Sequence, residues 1–133
     1  MSTLEAVTAE IERLHACFER WYHGEEFDLA EFEDALADDF SFFAPNGASV
    51  ARTDVVEGVR NAFGSRDIWI RIERPEVLWE RGDDLLAAYE EWHDHDDYST
   101  ARRSTVLLTR DDGTPGGLLW RHVHETWIQP PPG

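Results

Sequence analysis

The hydrophobic period of this chain changes once, near residue 65, and that change limits the folds open to it. Before it, Leu4, Val7, Ile11, Leu14, Phe18 and Trp21 recur at three- and four-residue steps, the stripe of an amphipathic helix. The spacing predicts a first helix from about Thr3 to His23, ended by Gly24. Cys17 falls beside the stripe and reads as core filler. Asp28-Leu29-Ala30-Glu31 has capping-box spacing ahead of Phe32 and Leu36, which predicts a second short helix to about Asp38. Phe40-Ser41-Phe42-Phe43 reads as a short strand stopped by the turn signal Pro45-Asn46-Gly47. Thr53 or Asp54 caps a third helix carrying Val55, Val56, Val59, Ala62 and Phe63, with Gly64 at its end.

After residue 65 the side chains alternate. Ile68 to Glu73 reads as a strand that continues towards Trp79 if Pro75 sits at an edge or a bulge. Arg81-Gly82-Asp83-Asp84 forms a tight hairpin turn. Strands follow from Leu85 to about His95, from Arg103 to Arg110 and from Leu118 to Ile128. The order is three helices with one early strand, then a four-stranded antiparallel meander. That is an α+β fold. At 133 residues the chain is expected to be one domain, with a core from about residue 4 to 128 and a short Pro-rich tail at 129–133.

The charge balance excludes some partners. The 28 acidic residues face 12 basic ones, all arginine, for a net charge of −16. Such a surface repels itself in dilute buffer, but in about 1 M salt the Debye length falls to roughly 3 Å and the repulsion is screened. With no lysine present, the expectation is a cytoplasmic protein of a halophile. Nucleic acid is excluded as a partner, because its binding needs a basic footprint. No apolar run approaches the roughly 18 residues that span a membrane. The opening Met1-Ser2-Thr3-Leu4-Glu5 lacks the basic-then-apolar pattern of a signal peptide. One cysteine rules out an internal disulfide framework.

The last strand is unusual in composition. By strict alternation Trp120, His122, His124 and Thr126 share one face, while Arg121, Val123, Glu125 and Trp127 share the other. Neither face is purely apolar, so one packs against a partner surface and the other lines a pocket with a few polar groups. On the middle strand, Tyr89, Glu91, His93 and His95 likewise share a face. The pairs His93/His95 and His122/His124 have a spacing some metal sites use. An intervening strand nevertheless separates them by about 9.5 Å of backbone. The reading therefore includes no metal and no cofactor.

A helix, a short helix, Asp38-Asp39-Phe40 leading into Pro45-Asn46-Gly47, a further helix, then four long strands ending Trp120-Arg121-His122-Val123-His124-Glu125 resemble the nuclear transport factor 2-like superfamily. Within it, the chain is most similar to SnoaL-like and ketosteroid-isomerase-like small proteins. The final strand is similar to a Trp-Arg-x-Val-His-Glu-His pattern, with Thr126 in place of the last histidine. The resemblance covers roughly residues 4 to 128. It implies three N-terminal helices on a strongly curved mixed or antiparallel sheet, an internal cavity, and a homodimer built on the sheet. Trp120, His122 and His124 are then dimer contacts, and Trp21, Tyr22 and Phe43 fall at the cavity mouth.

Within such a cavity Glu91 and Glu125 are candidate catalytic carboxylates, with His93 or Tyr89 placed to polarise a carbonyl. Val123 and Trp127 join them as cavity wall. Arg102 and Arg103 are within reach of a substrate carboxylate, although pairing with Asp94, Asp96 and Asp97 is the plainer role. The expected partner is a small apolar or carbonyl-bearing molecule. The reading is a small-molecule-binding protein, with a cofactor-independent isomerase, cyclase or dehydratase as its catalytic form. A non-catalytic ligand-binding module and a homo-oligomeric interaction domain are the alternatives.

Overall fold

Ser2 and Glu5 start the first helix by satisfying each other's backbone. Ser2 Oγ accepts the Glu5 N–H at 3.1 Å, and Glu5 Oε1 accepts the Ser2 N–H at 3.3 Å. A cap of this kind is worth about 1 kcal/mol. The computed structural model describes all 133 residues, and this helix, α1, spans Thr3–Tyr22. Its stripe buries Val7, Ile11 and Leu14, and the same face carries the buried polar residues Glu10 and His15. At its far end Trp21 O accepts the Gly64 N–H and Tyr22 O accepts the Arg66 N–H, so a later loop closes the helix.

The second helix is shorter than its spacing predicts. α2 is one turn, Ala30–Glu33, and the chain straightens into β1 at Leu36–Phe43. Leu36 pairs with Trp120, and Ala35 O accepts the Trp120 N–H at 2.8 Å. Sheet pairing there outweighs a helical preference worth only tenths of a kcal/mol per residue. Gly47, at φ 90°, then turns the chain into β2, Ser49–Ala51. Three residues are too few for a period to reveal, and this strand was not expected. α3 follows at once, Arg52–Asn61, with Ala51 as its N-cap and no side-chain cap. Thr53 and Asp54, the expected caps, lie inside its first turn.

The four long strands form as the alternation predicts. They are β3 (Trp69–Arg81), β4 (Asp84–Asp94), β5 (Ser99–Arg110) and β6 (Leu118–Gln129). β3 runs through Pro75 with a register shift between Glu73 and Glu76, and Arg74 there takes φ 51°. It is an edge strand, where a missing N–H leaves no partner unpaired. The six-stranded sheet has the order β2-β1-β6-β5-β4-β3, antiparallel except that β1 and β6 run parallel. Its inner face packs on α1 as a cone that leaves a cavity between helix and strands. No helix is long and apolar enough to cross a membrane.

One irregularity decides what faces the cavity. Leu107 pairs with His122 and Leu108 with Trp120, so Arg121 is an extra residue in β6. A bulge of one residue reverses the side-chain parity beyond it. Trp120, Val123 and Glu125 therefore all point inward, while His122 and His124 stay outside. Strict alternation had placed Trp120 with the two histidines. Instead it is 1% exposed and donates its Nε1–H to Glu10 Oε2 at 2.8 Å. Arg13 completes the buried Glu10 carboxylate, with Nε donating to Oε1 at 2.7 Å and Nη2 to Oε2 at 3.1 Å.

Gly116 lies against that cluster. A Cβ there would fall 1.7 Å from Glu10 Oε1 and 2.8 Å from Arg13 Nε. Gly116→Ala should therefore destabilise the protein by about 1–3 kcal/mol, since the carboxylate must leave its partners. Gly58→Ala, exposed in α3 with nothing within 4 Å of the new Cβ, should stabilise it by up to about 1 kcal/mol. Urea unfolding of the two variants checks the opposite signs.

Candidate functional site

The cavity lies between α1 and the inner face of β4, β5 and β6, with a volume of about 230 Å³. Its walls are mostly apolar: Leu14, Phe18 and Tyr22 from α1, Phe40 and Phe42 from β1, Val55 and Val59 from α3, Trp120 and Val123 from β6. Six charged or histidine residues join them: His15, Arg66, Glu91, His93, Arg102 and Glu125. A shallower recess of about 460 Å³ opens beside it and shares Arg66, His93 and Arg102 with it.

His15 and Glu91 form the centre. The His15 Nδ1–H donates to Ile11 O at 2.7 Å, and the Nε2–H donates to Glu91 Oε1 at 2.8 Å. A carbonyl and a carboxylate can only accept, so these partners assign both ring protons and make the ring an imidazolium. Burial opposes its charge, yet the charge of Glu91 and the hydrogen bond to it raise the His15 pKa. Burial likewise disfavours the Glu91 carboxylate, but the charge of His15 and hydrogen bonds from His15 and His93 hold its pKa well below the usual value. Arg102 Nη2 donates to His93 Nδ1 at 3.2 Å, leaving the His93 Nε2–H to donate to Glu91 Oε2 at 2.5 Å. A charged chain thus runs from α1 through β4 to β5.

Glu125 is placed differently. Ser104 Oγ donates to its Oε2 at 3.3 Å, and Arg102 Nη1 stops 3.9 Å from its Oε1. Burial, then the negative charge of Glu91, pushes its pKa up to about 8. The Tyr89 hydroxyl, also buried and near both carboxyls, is held well above the usual phenol value and stays protonated. Two carboxyls in one pocket therefore differ in state: Glu91 is a fixed anion, and Glu125 exchanges a proton near neutral pH.

Of the residues expected in the cavity, Glu91, His93, Glu125, Tyr22, Tyr89 and Val123 line it. Trp21, Phe43 and Trp127 do not. Trp21 donates its Nε1–H to Val59 O at 2.8 Å and packs on Phe27 and Phe63. Phe43 lies on the outer face, its ring centroid 4.6 Å from that of His122 and 5.3 Å from that of His124. Trp127 flanks the shallow recess beneath the Arg102 guanidinium, 4.9 Å away. Trp120, expected outside as a dimer contact, is a cavity wall. Arg103 pairs outward with Glu90, but Arg102 turns inward, not to the Asp94, Asp96 and Asp97 cluster.

His15 and Arg66 were not foreseen. The signal for His15 was present: a histidine on the same helical face as Ile11 and Leu14, where burial demands a partner. Nothing local marks Arg66, whose place depends on the loop that closes α1.

The family described as sucrose-6-phosphate phosphohydrolase C-terminal matches residues 7–129. Sucrose-phosphatase 1 of Nicotiana tabacum is 25% identical over 130 residues, which covers 90% of this chain and 30% of that protein. The chain thus spans less than a third of the curated relative. Among solved structures, a nuclear transport factor 2-like protein of unknown function from Pseudomonas aeruginosa is 32% identical. The two superpose with a TM-score of 0.84, covering 92% of this chain and 98% of that one. The fold is also shared at 15% identity with the CaMKII hub of S. rosetta (TM-score 0.74, 96% and 98% covered). A ketosteroid isomerase-like protein from Erwinia carotovora atroseptica shares it at 15% identity as well (TM-score 0.66, 96% and 97% covered).

The proton on Glu125 links stability to pH. An unfolded glutamate ionises near 4.3, whereas folded Glu125 holds its proton to about 8. The folded state binds more protons between those values, so this group's contribution is full below about pH 4 and is lost as pH rises towards 8. His15, also raised, loses its contribution as pH rises through its folded value. Glu91 has the opposite sign: its contribution is present above about pH 4.3 and is lost as pH falls through its lowered value. Glu125→Gln removes only the first effect. Its stability relative to the parent should therefore grow from pH 5 to 8.5, by at most about 1.4 kcal/mol per pH unit. Urea titrations at both values measure it, and a flat or shrinking difference would refute the raised Glu125.

Proposed function

The chain belongs to the family of the sucrose-6-phosphate phosphohydrolase C-terminal domain, within the nuclear transport factor 2-like superfamily, and on that premise we propose that its cavity binds a small, mainly apolar, carbonyl-bearing molecule. The observation that carries the proposal is the pair of unlike carboxyls in a mainly apolar pocket. Glu125 is the proton carrier. With its pKa near 8, its ionised form is a stronger base than an ordinary carboxylate, and its neutral form is an available acid.

The proposed reaction is proton transfer at the carbon next to a carbonyl. Glu125 removes the proton, the electron pair moves into the carbonyl, and the oxygen takes on negative charge. Arg102 is the cation nearest to Glu125 and steadies that charge. Glu91 touches no reacting atom in this scheme. Clamped by His15 and His93, it is a positioning residue whose fixed charge adds to burial in keeping the Glu125 proton in range. Where the substrate is a β,γ-unsaturated ketone, return of the proton from Glu125 to the γ carbon of the dienolate moves the double bond into conjugation and re-forms the carbonyl, an isomerisation that needs no cofactor.

A second reading rests on the outer face of the sheet. Phe43, His122 and His124 form an exposed aromatic group there, and the shared fold includes an oligomeric hub. We assign self-association to this face, with Trp120 removed from the expected contact set. In sedimentation velocity, His124→Glu should shift a dimer towards monomer, and a monomeric parent would end this reading.

The catalytic reading is tested by hydrogen exchange. In D₂O the protein should speed deuterium uptake next to the carbonyl of 2-tetralone, with a rate that climbs as pH passes 8 and Glu125 ionises. Glu125→Gln should lower that rate at least about 100-fold. Binding of the ketone without exchange would leave a ligand-binding module, and full exchange by the variant would sink the assignment of Glu125.

A further inference from the structure

Charge around the cavity does not balance. Glu91 is offset by His15, and Glu125 has no full ion pair. Arg102 is left over. Its side chain is 15% exposed, and its Nη2 donates only to the neutral acceptors His93 Nδ1 (3.2 Å) and Thr100 Oγ1 (3.3 Å). Its Nε–H is shut off from solvent with no acceptor at all. A guanidinium that is desolvated but not neutralised is costly in a folded protein, and a missing anion would relieve it. Arg66 lines the same junction and makes no ion pair, lying over the Tyr22 ring at 4.9 Å. In a chain of net charge −16, two arginines lining one opening stand out, the nearest carboxylate oxygen to Arg102 being that of Glu125, 3.9 Å from its Nη1 and beyond hydrogen-bond reach.

Building on the pocket reading above, we infer that the natural ligand is a monoanion: an apolar molecule ending in one carboxylate, which sits between Arg102 and Arg66 where the apolar cavity meets the shallow recess. The apolar body fills the space between Phe18, Phe40, Val59 and Val123. The polar junction sets the charge of the head group. A phosphate dianion would face Glu91 and Glu125 as well as the two arginines, whereas a carboxylate places one negative charge against two cations. Neutral Glu125 also offers the carboxylate an O–H donor, which an ionised neighbour would not.

A pair of nearly isosteric probes tests this by calorimetry at pH 7. 3-Phenylpropanoate and 4-phenyl-2-butanone differ only in carrying a carboxylate oxygen or a methyl at the end of the same chain. The acid should bind at least about 10-fold more tightly than the ketone, the ratio one charged hydrogen-bonded pair supplies. Arg102→Met should weaken the acid at least about 10-fold more than it weakens the ketone, which removes the preference. Arg66→Gln, at an exposed position, should weaken the acid by a smaller factor, and it tests the seat even if the Arg102 variant misfolds. Equal binding of acid and ketone, or acid binding unchanged in both folded variants, overturns this inference while leaving the pocket reading standing. Binding of neither probe overturns both.

Discussion

The hydrogen bond between His15 and Glu91 joins two almost fully buried charges, and the inner face is arranged around it. Burying either ion alone is penalised by several kcal/mol, and losing one partner would leave the other uncompensated. The pair therefore ties α1 to β4 in one orientation, because the imidazolium has a single carbonyl and a single carboxylate to satisfy it. It also determines the neighbouring chemistry. Burial and then the ionised Glu91 beside it keep a proton on Glu125, and the second oxygen of Glu91 sets the His93 tautomer that receives Arg102.

Most of the architecture could be read from periodicity, because burial on one side of a helix or strand imprints a period. The first helix and the four long strands appear within a few residues of their expected bounds. The departures share one cause: tertiary pairing overrides local pattern. α2 gives way to β1 because Leu36 finds Trp120, and β2 exists only because β1 offers it an edge. The convergence of Glu91, His93 and Glu125 on one side followed from alternation within β4 and β6. Trp120 did not, since an inserted residue in a strand leaves no mark in composition. His15 and Arg102 lie between these cases, visible as residues but with partners supplied by distant segments.

The bulge at Arg121 lets one strand serve two surfaces. Val123 and Glu125 face the cavity, and His122 and His124 face outward beside Phe43. Because the bulge also turns Trp120 inward, the indole can seal the buried Glu10 carboxylate and wall the pocket at once. Pocket and outer face are thus set by neighbouring residues with little direct contact, and substitutions on one side need not disturb the other.

The Arg74–Pro75 kink has a consequence for how copies of this chain can meet. β3 is one free margin of the sheet, and there a left-handed arginine and a residue without an N–H interrupt the row of groups a foreign strand would need. The other margin is β2, only three residues long. Neither margin can template the next molecule, so the sheet cannot propagate into a ribbon. Any pairing of copies is left to the broad face of the sheet.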